Sequence, residues 1–293
     1  SIVHFFFGSS MDQFSYVVIG VAAVLFAFAG VSYALFRSFN SFIVFLWLGI
    51  SAVIWGLFMG APGNFKDGFL RHDPLNTLGT IHTGGPLVAA LLGMLFIAIT
   101  YVVERYLVIS KARGIGDLHA FMKNVQAQIN ANDVKSAIDS CAAQKGSLSN
   151  IVRSGLERYS QVEHDQNFDP EKKIAEVQRA IDEAMNLETP LLEKNLVILS
   201  TVASLATMVG LLGTTIGMIR SFAALGASGG AVSAQALSIG ISEALYNTAF
   251  GLGAAIISIL AFNFFTTKVD NFVYMIDEAV LTVMETLTIK TKK

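Results

Sequence analysis

Charge is scarce in this sequence. Only 14% of its 293 residues are charged, whereas 53% are hydrophobic, and the mean hydropathy is +0.58. This balance excludes an ordinary soluble domain and is typical of integral membrane proteins. The net charge of -2 gives no basis for a nucleic-acid partner.

Cysteine, proline and catalytic motifs are also sparse or missing. Cys141 is the single cysteine, so no internal disulfide can form, and we expect its thiol to be a small buried apolar group. The five prolines suit a mainly helical chain. The sequence has no phosphate-binding glycine loop, no metal-ligand cluster and no nucleophile motif. We therefore expect no enzyme activity, no metal and no cofactor.

Five apolar segments are each long enough to cross a bilayer, which takes roughly 20 helical residues for about 30 Å of hydrocarbon. Runs of this length predict helices, because a helix satisfies its own backbone hydrogen bonds in lipid. The second segment is the shortest and could instead lie at the interface. The segments are residues 14–36, 42–60, 86–109, 196–225 and 237–267.

Basic residues predict the orientation. Arg105, Lys111 and Arg113 cluster at the end of the third segment, and positive charge near span ends marks the cytoplasmic side. Arg37, between the first two segments, agrees. We therefore predict an outer N-terminus, five crossings, an outer loop at 61–85 and a cytoplasmic C-terminus. His72 and His82 in that loop have no ligand-like spacing, so we expect them to be solvated or structural.

The predicted fold is an all-α membrane bundle whose long helices extend into a cytoplasmic helical domain. Four boundary signals predict the helices of that domain, namely Asp117, Asn132-Asp133, Lys145-Gly146-Ser147 and Asp169-Pro170. An unbroken helix from 169 to 225 would be about 84 Å long, and we expect Pro190 to bend it. The predicted parts are 1–85 (two membrane segments and outer loop), 86–109 (third segment), 110–195 (cytoplasmic helical domain), 196–267 (two pore-lining helices) and 268–293 (cytoplasmic C-terminal helix).

Hydroxyls and glycines mark the fourth segment. Thr207, Thr214 and Ser221 follow Ser200 at intervals of seven residues, which places them on one slowly drifting helical stripe. Such hydroxyls can bond a helical carbonyl, bond a neighbouring helix, or line water. The glycines of these two last segments predict close helix packing. They are Gly210, Gly213, Gly217 and Gly251.

The fifth segment carries an ionisable group at membrane depth. Glu243 and Asn247 are four residues apart and share a helix face, so Asn247 could hydrogen-bond the carboxyl. Thr248 lies about 140° around the helix from Glu243. An intramembrane carboxyl is costly, so proton or ion handling is the functional interpretation, and a carboxylate reaching interfacial water is the alternative. Arg220 can snorkel or pair with a partner's carboxylate.

Three stretches resemble the MotA/TolQ/ExbB proton-channel family. The first is Gly-Leu-Leu-Gly-Thr-Thr-Ile-Gly-Met-Ile-Arg-Ser-Phe from Gly210. The second is Gly-Ile-Ser-Glu-Ala-Leu-Tyr-Asn-Thr-Ala-Phe-Gly from Gly240, and the third is Val-Glu-Arg-Tyr-Leu from Val103. The likeness covers about 86–270 and is closest to the ExbB branch of Bacteroidetes-type bacteria. Members usually have three spans, so two apolar segments are extra here; they could pack outside a ring, bind lipid, or contact another protein.

The resemblance implies a multi-pass subunit of a bacterial inner membrane, assembled as a homopentameric ring around an ExbD-like partner. The family's lumen-facing threonines fall on Thr214 and Thr248, and its membrane glutamate falls on Glu243. Thr207, Ser221 and Asn247 are further pore-lining candidates, and Arg220 is a candidate partner contact. The implied function is an ExbB-like stator that uses proton flow to energise TonB and outer-membrane transport. A TolQ-like, gliding or flagellar stator, and a non-conducting scaffold, are the alternatives.

Overall fold

The computed structural model describes residues 13–36, 39–68, 73–163, 165, 168–227 and 234–291, which form helices almost throughout. Arg37 and His72 lie outside these residues. A π-helical turn at Ile54–Met59 and a 3-10 turn at Pro62–Asn64 separate the second and third α-helices. The α-helices are α1 (Gln13–Phe36), α2 (Phe39–Val53), α3 (Thr77–Thr83), α4 (Pro86–Ala112), α5 (Leu118–Asn130), α6 (Val134–Gln144), α7 (Ser147–Val162), α8 (Pro170–Glu193), α9 (Leu196–Ala227) and α10 (Ala234–Thr291).

The prediction of five membrane-spanning helices is confirmed in number. Within the part of the chain that the structure describes, five helices are long and apolar enough to cross a bilayer. The second of them extends over Asn40–Met59, so the shortest segment also reaches a spanning length. The fifth helix continues past residue 267 without interruption. Helix α10 has 58 residues and is therefore about 87 Å long.

The four boundary signals in the polar region are confirmed as helix ends. Asp117 and Asp133 cap α5 and α6 by accepting hydrogen bonds from the backbone N–H groups of His119 and Ser136, at 3.0 Å each. Helix α7 begins directly after Gly146, whose φ of 113° few other residues adopt. Pro170 occupies the first turn of α8, where its missing N–H costs nothing.

The single helix considered for residues 169–225 is instead two helices. Pro190 lies inside α8, and the helix ends four residues later, where the Lys194 N–H donates to the Pro190 carbonyl at 3.0 Å. Asn195 then adopts φ 67°, a left-handed conformation that asparagine tolerates better than most residues. The chain therefore turns at 194–195 rather than bending at the proline.

The described residues form two compact units. The first comprises Ser1–Val102 and Ile198–Ala261, and the second comprises Val103–Val197 and Phe262–Lys293. In the first, the apolar unit, the sequence is hydrophobic all round its helices, as expected for spanning segments. One of its cores combines buried residues of α1, the π-helical turn and α4 with Phe250 of α10. The buried members are Val18, Trp55, Met59, Val88, Ala89 and Leu92.

The second, polar unit packs amphipathic helices around a buried seam. Gly155 lets α7 approach α8, since a Cβ there would lie 2.6 Å from the Ile181 side chain. Cys141 is buried, as predicted, and burial raises the pKa of its thiol to about 12. Near the end of α10, Lys290 lies 3.5 Å from the Glu163 carboxylate and 5.1 Å from the centre of the Tyr159 ring.

Candidate functional site

The α9–α10 hairpin is joined along a seam of small residues within the apolar unit. A Cβ on Gly213 would lie 2.4 Å from the Asn247 Cβ, and one on Gly210 would lie 3.1 Å from the Gly251 Cα. Such contacts let two helix backbones approach closely where lipid gives no hydrophobic drive. The facing residues keep one antiparallel register: Ser221 with Gly240, Gly217 with Ala244, Gly213 with Asn247, and Gly210 with Gly251.

The hydroxyls of α9 donate to their own helix. Thr207 bonds the Ala203 carbonyl at 3.0 Å, Thr214 bonds Leu211 at 2.6 Å, and Ser221 bonds Gly217 at 3.0 Å. Each hydroxyl keeps oxygen lone pairs that can accept a hydrogen bond from water. Ser221 is buried in the seam, whereas Thr207 and Thr214 are partly exposed.

Thr248 links the two helices of the hairpin. Its hydroxyl lies 3.3 Å from the Gly210 carbonyl on α9, in donating geometry. Because Gly210 has no side chain, this carbonyl is reachable across the seam. The structure thus brings Thr248 next to the glycine seam, while Thr214 sits further along α9 with its hydroxyl on its own helix.

Glu243 forms an ion pair with Arg220 of the same chain. The Arg220 Nη1 donates to the Glu243 Oε1 at 2.8 Å. The glutamate side chain is only 12% exposed, whereas the arginine side chain is 59% exposed. From the sequence, Arg220 was expected to snorkel or to pair with a partner's carboxylate, and the pairing with Glu243 of its own chain was not predicted. It follows from the antiparallel register, which sets the two residues level near the end where α9 stops and α10 starts.

Asn247 does not hydrogen-bond the Glu243 carboxyl, as the sequence had suggested it could. Its side chain is 1% exposed, and its Nδ2 donates to the Gly84 carbonyl at 2.9 Å and to the Glu243 backbone carbonyl at 3.3 Å. The amide is therefore directed toward the turn that precedes α4. The prediction that Glu243 and Asn247 share a helix face was correct. The Asn247 amide nevertheless binds the Gly84 carbonyl, from a distant segment, instead of the Glu243 carboxyl.

A group that sequence reasoning missed lies behind this turn. His82 is 7% exposed and stacks on Trp55 with 4.7 Å between ring centres and 10° between planes. The structural alternative for His82 is therefore the right one, and solvation is wrong. The signal available in the sequence was the aromatic content of the segments before it, since Phe14 and Phe65 also contact the imidazole edge-on.

A second charged cluster lies in the polar unit at the end of α4. Arg105 is 1% exposed, and its guanidinium binds both oxygens of the neighbouring Glu104 at 2.5 Å each. Arg105 also donates to the Leu192 carbonyl at 3.3 Å, and Asn195 donates to Glu104 at 3.3 Å. The cluster joins α4 to the turn between α8 and α9. The sequence analysis placed Arg105 among the charges that mark the end of this helix, and it did not predict that the arginine is buried.

No group of three or more histidine, cysteine or acidic side chains positioned to hold a metal ion occurs among the described residues. The chemistry of the hairpin is instead that of one shielded carboxyl, one exposed guanidinium and several hydroxyls inside spanning helices. Groups of this kind, in a membrane, bind or pass small ions and hold polar partners.

The fold and the hairpin together define a multi-pass helical membrane protein with polar groups inside its bundle. Over residues 143–278 the chain matches the model of the MotA/TolQ/ExbB proton channel family. The match confirms, over this region, the resemblance seen in the motifs.

Curated relatives match part of the chain. The Tol-Pal system protein TolQ of Pseudomonas aeruginosa is 37% identical over 118 residues, which are 40% of this chain and 51% of that protein. The biopolymer transport protein ExbB of Helicobacter pylori is 43% identical over 88 residues, 30% of this chain and 58% of that protein. ExbB of Xanthomonas campestris is 41% identical over 90 residues, 31% of this chain and 35% of that protein. The chain thus spans about half the length of the TolQ protein it matches.

Proposed function

We propose that this chain is an ExbB-like stator subunit of a proton-driven motor in a bacterial inner membrane. In this proposal copies of the chain form a ring, five in number by family resemblance, with the polar unit in the cytoplasm. An ExbD-like partner places a membrane helix inside the ring, and the complex energises a TonB-like protein for outer-membrane transport. The observation that carries the proposal is the shielded Glu243 paired with an exposed Arg220 on a hairpin that matches the model of the proton channel family.

The energetics suit this role. A proton crossing the membrane releases about 2.3 kcal/mol per 100 mV, so a useful pathway must offer polar stations without trapping the charge. Thr214 and Thr248 are neutral and retain acceptor lone pairs, so they can pass a proton through water without holding it. Glu243 is the single carboxyl among the described residues of the α9–α10 hairpin that lie in the apolar unit.

Arg220 gives the pair a way to respond to a partner. Protonation of Glu243 removes the charge that holds the guanidinium, and the exposed arginine can then turn toward a carboxylate on the partner helix. Return of the proton to the aqueous phase restores the internal pair. In this scheme Glu243 takes and releases the proton, and Arg220 reports its state to the partner.

The direct test is proton uptake by vesicles holding the chain and its co-purified partner. Glu243→Gln keeps the shape of the side chain and removes its charge, and we expect uptake to fall to the level of empty vesicles. Glu278→Gln is the matched control, since Glu278 is an exposed carboxyl on the same helix. Uptake and iron-limited growth that persist in Glu243→Gln and in Thr248→Val would support a non-conducting scaffold instead.

A TolQ-like stator is the second candidate, because the TolQ alignments are longer than the ExbB ones. They cover 118 and 116 residues, against 90 and 88 for ExbB of Xanthomonas campestris and Helicobacter pylori. Co-purification followed by mass measurement distinguishes the two. An ExbD-like and TonB-like pair supports the first candidate, whereas Tol proteins support the second and motility proteins support a gliding or flagellar stator.

A further inference from the structure

The turn between α3 and α4 lies against the ion pair of the hairpin. A Cβ built on Gly85 would lie 3.6 Å from the Glu243 Oε1 and 3.8 Å from the Arg220 Nη1. Gly85 has φ 77°, which other residues adopt only under strain. The preceding residue, Gly84, accepts the hydrogen bond from the buried Asn247 amide at 2.9 Å. Backbone from outside the hairpin therefore forms part of the surroundings of Glu243.

The same turn is fixed from behind by the aromatic group around His82. The His82 carbonyl accepts two hydrogen bonds, from the Trp55 indole Nε1 at 3.2 Å and from the Gly85 N–H at 3.0 Å. The imidazole stacks on the same indole ring. Trp55 thus holds both the side chain and the carbonyl of His82, and the carbonyl in turn holds the backbone N–H of Gly85.

These supports come from the part of the chain that precedes the family match at residue 143. Trp55 lies in the π-helical turn after α2, and His82 lies at the end of α3. Insertions of a π turn into helices recur at functional sites, where the extra residue redirects a side chain. Trp55 lies in such a turn, and its indole donates to the His82 carbonyl.

We propose that Trp55, His82, Gly84 and Gly85 form a support that positions and covers the Glu243–Arg220 pair. The two additional apolar segments then have a role inside their own chain: they deliver Trp55 to the turn, and the turn limits access to the carboxyl. These four are positioning residues, since the backbone of the turn lies beside the pair and the two side chains act through that backbone. The inference rests on the proposed function for its purpose, but its geometry can be tested without proton flow.

The test measures how fast a hydrophobic carbodiimide modifies Glu243 in the full chain in vesicles, with the modified peptide quantified by mass spectrometry. Trp55→Phe keeps an aromatic ring but removes the indole donor, and Gly85→Ala strains the turn. We expect modification of Glu243 to become roughly fivefold faster in each, the change that loss of one hydrogen bond of ordinary strength produces. The midpoint of thermal unfolding, measured in parallel, shows that each variant is folded.

Two glycine variants serve as controls, because they distinguish loss of the proposed support from backbone strain alone. Gly68→Ala introduces a Cβ at φ 61° with no neighbour within 4 Å, and Gly63→Ala introduces one in open space. Both should leave the modification rate unchanged. A merely structural role for the turn would lower the unfolding midpoint without changing the rate for folded protein.

Unchanged modification of Glu243 in both Trp55→Phe and Gly85→Ala would overturn the inference, whatever the proton flux. Faster modification together with absence of proton uptake in the unsubstituted chain would leave the support established and refute the proposed function instead. If Gly85→Ala does not fold, Trp55→Phe alone decides.

Discussion

Arg105 and Arg220 each bind a glutamate, yet their surroundings differ at every point. The Arg105 side chain is 2% exposed, uses two nitrogens on Glu104 and donates to the Leu192 carbonyl, while Glu104 also accepts a hydrogen bond from Asn195. The Arg220 side chain is 59% exposed and makes one bond, to a glutamate that is itself 12% exposed. In the first pair the cation is buried and held. In the second pair the carboxyl is shielded and the cation is exposed.

The difference separates a structural pair from a responsive one. A buried guanidinium without its carboxylate is very costly, so the Arg105 cluster has one stable state and holds the turn between α8 and α9. An exposed arginine loses little when its partner is neutralised, because water replaces the bond. Of the two pairs, the Arg220–Glu243 pair is therefore the one that can change its charge without unfolding its surroundings.

The largest expected effect is on the structural pair. Glu104→Gln leaves the buried Arg105 guanidinium without a carboxylate, so we expect a loss of about 3–5 kcal/mol in the free energy of unfolding. Denaturant unfolding in detergent, followed by circular dichroism, measures it. The matched variant Glu243→Gln leaves an arginine whose side chain is 59% exposed, and it should cost less than about 1 kcal/mol. Equal losses in the two variants would remove the distinction between the pairs.

The next effect breaks the seam that sets the responsive pair in register. Gly213→Leu places a side chain against Asn247, where even a Cβ lies 2.4 Å away, and overpacking of this kind costs about 1–3 kcal/mol or more. In the proposed ring, close packing at the seam glycines makes us expect that this variant also breaks the assembly. The structure adds a cause within one chain, so the hairpin should loosen first.

Gly253→Leu is the control for that variant, because nothing lies within 4 Å of a Cβ there. Gel filtration and thermal unfolding compare the two. An intact oligomer with unchanged stability in Gly213→Leu would contradict the packing account.

A smaller effect distinguishes the two threonines. Thr248→Val removes the hydroxyl bond across the seam and should cost about 1 kcal/mol. Thr214→Val removes a bond within one helix turn and should leave assembly and stability unchanged while lowering proton-driven coupling. Thermal unfolding and vesicle uptake, measured on both variants, check this split. Loss of assembly in Thr214→Val would assign that residue to packing.

The smallest effect concerns an exposed pair that resembles neither of the others. Arg158 beside Glu176 holds the pKa of that carboxyl below its usual range. Its contribution to stability is therefore present above the ordinary carboxyl pKa and disappears as pH falls through the lowered one. In Arg158→Met, we expect the midpoint of thermal unfolding to fall slightly less as the pH is lowered. If the midpoint depends on acidic pH identically in both proteins, this pair contributes nothing to stability.

The sequence was sufficient for the helices because they depend on local signals. Asp117, Asp133 and Pro170 end or begin helices through their own backbone chemistry, and long apolar runs need no partner to be recognised. The motifs also located Glu243 and the seam glycines. What failed depended on distant residues: Asn247 turned to Gly84, Arg105 became buried, and the turn at Asn195 replaced a bend at Pro190.

The Arg220–Glu243 pair was partly predictable from the sequence. Two antiparallel helices joined by a short segment must bring residues at equal distances from that segment together, so the register was available from the sequence once a hairpin was assumed. The support from Trp55 and His82 could not be predicted from the sequence, because no local pattern links residues 55, 82 and 247.

One side-by-side measurement tests the contrast between the pairs most directly: proton uptake and unfolding free energy for Glu104→Gln and Glu243→Gln in the same vesicles. We predict that Glu104→Gln destabilises the protein, with uptake per folded complex near that of the unsubstituted chain, while Glu243→Gln abolishes uptake and leaves the unfolding free energy nearly unchanged. Full uptake in folded Glu243→Gln complexes would contradict the account.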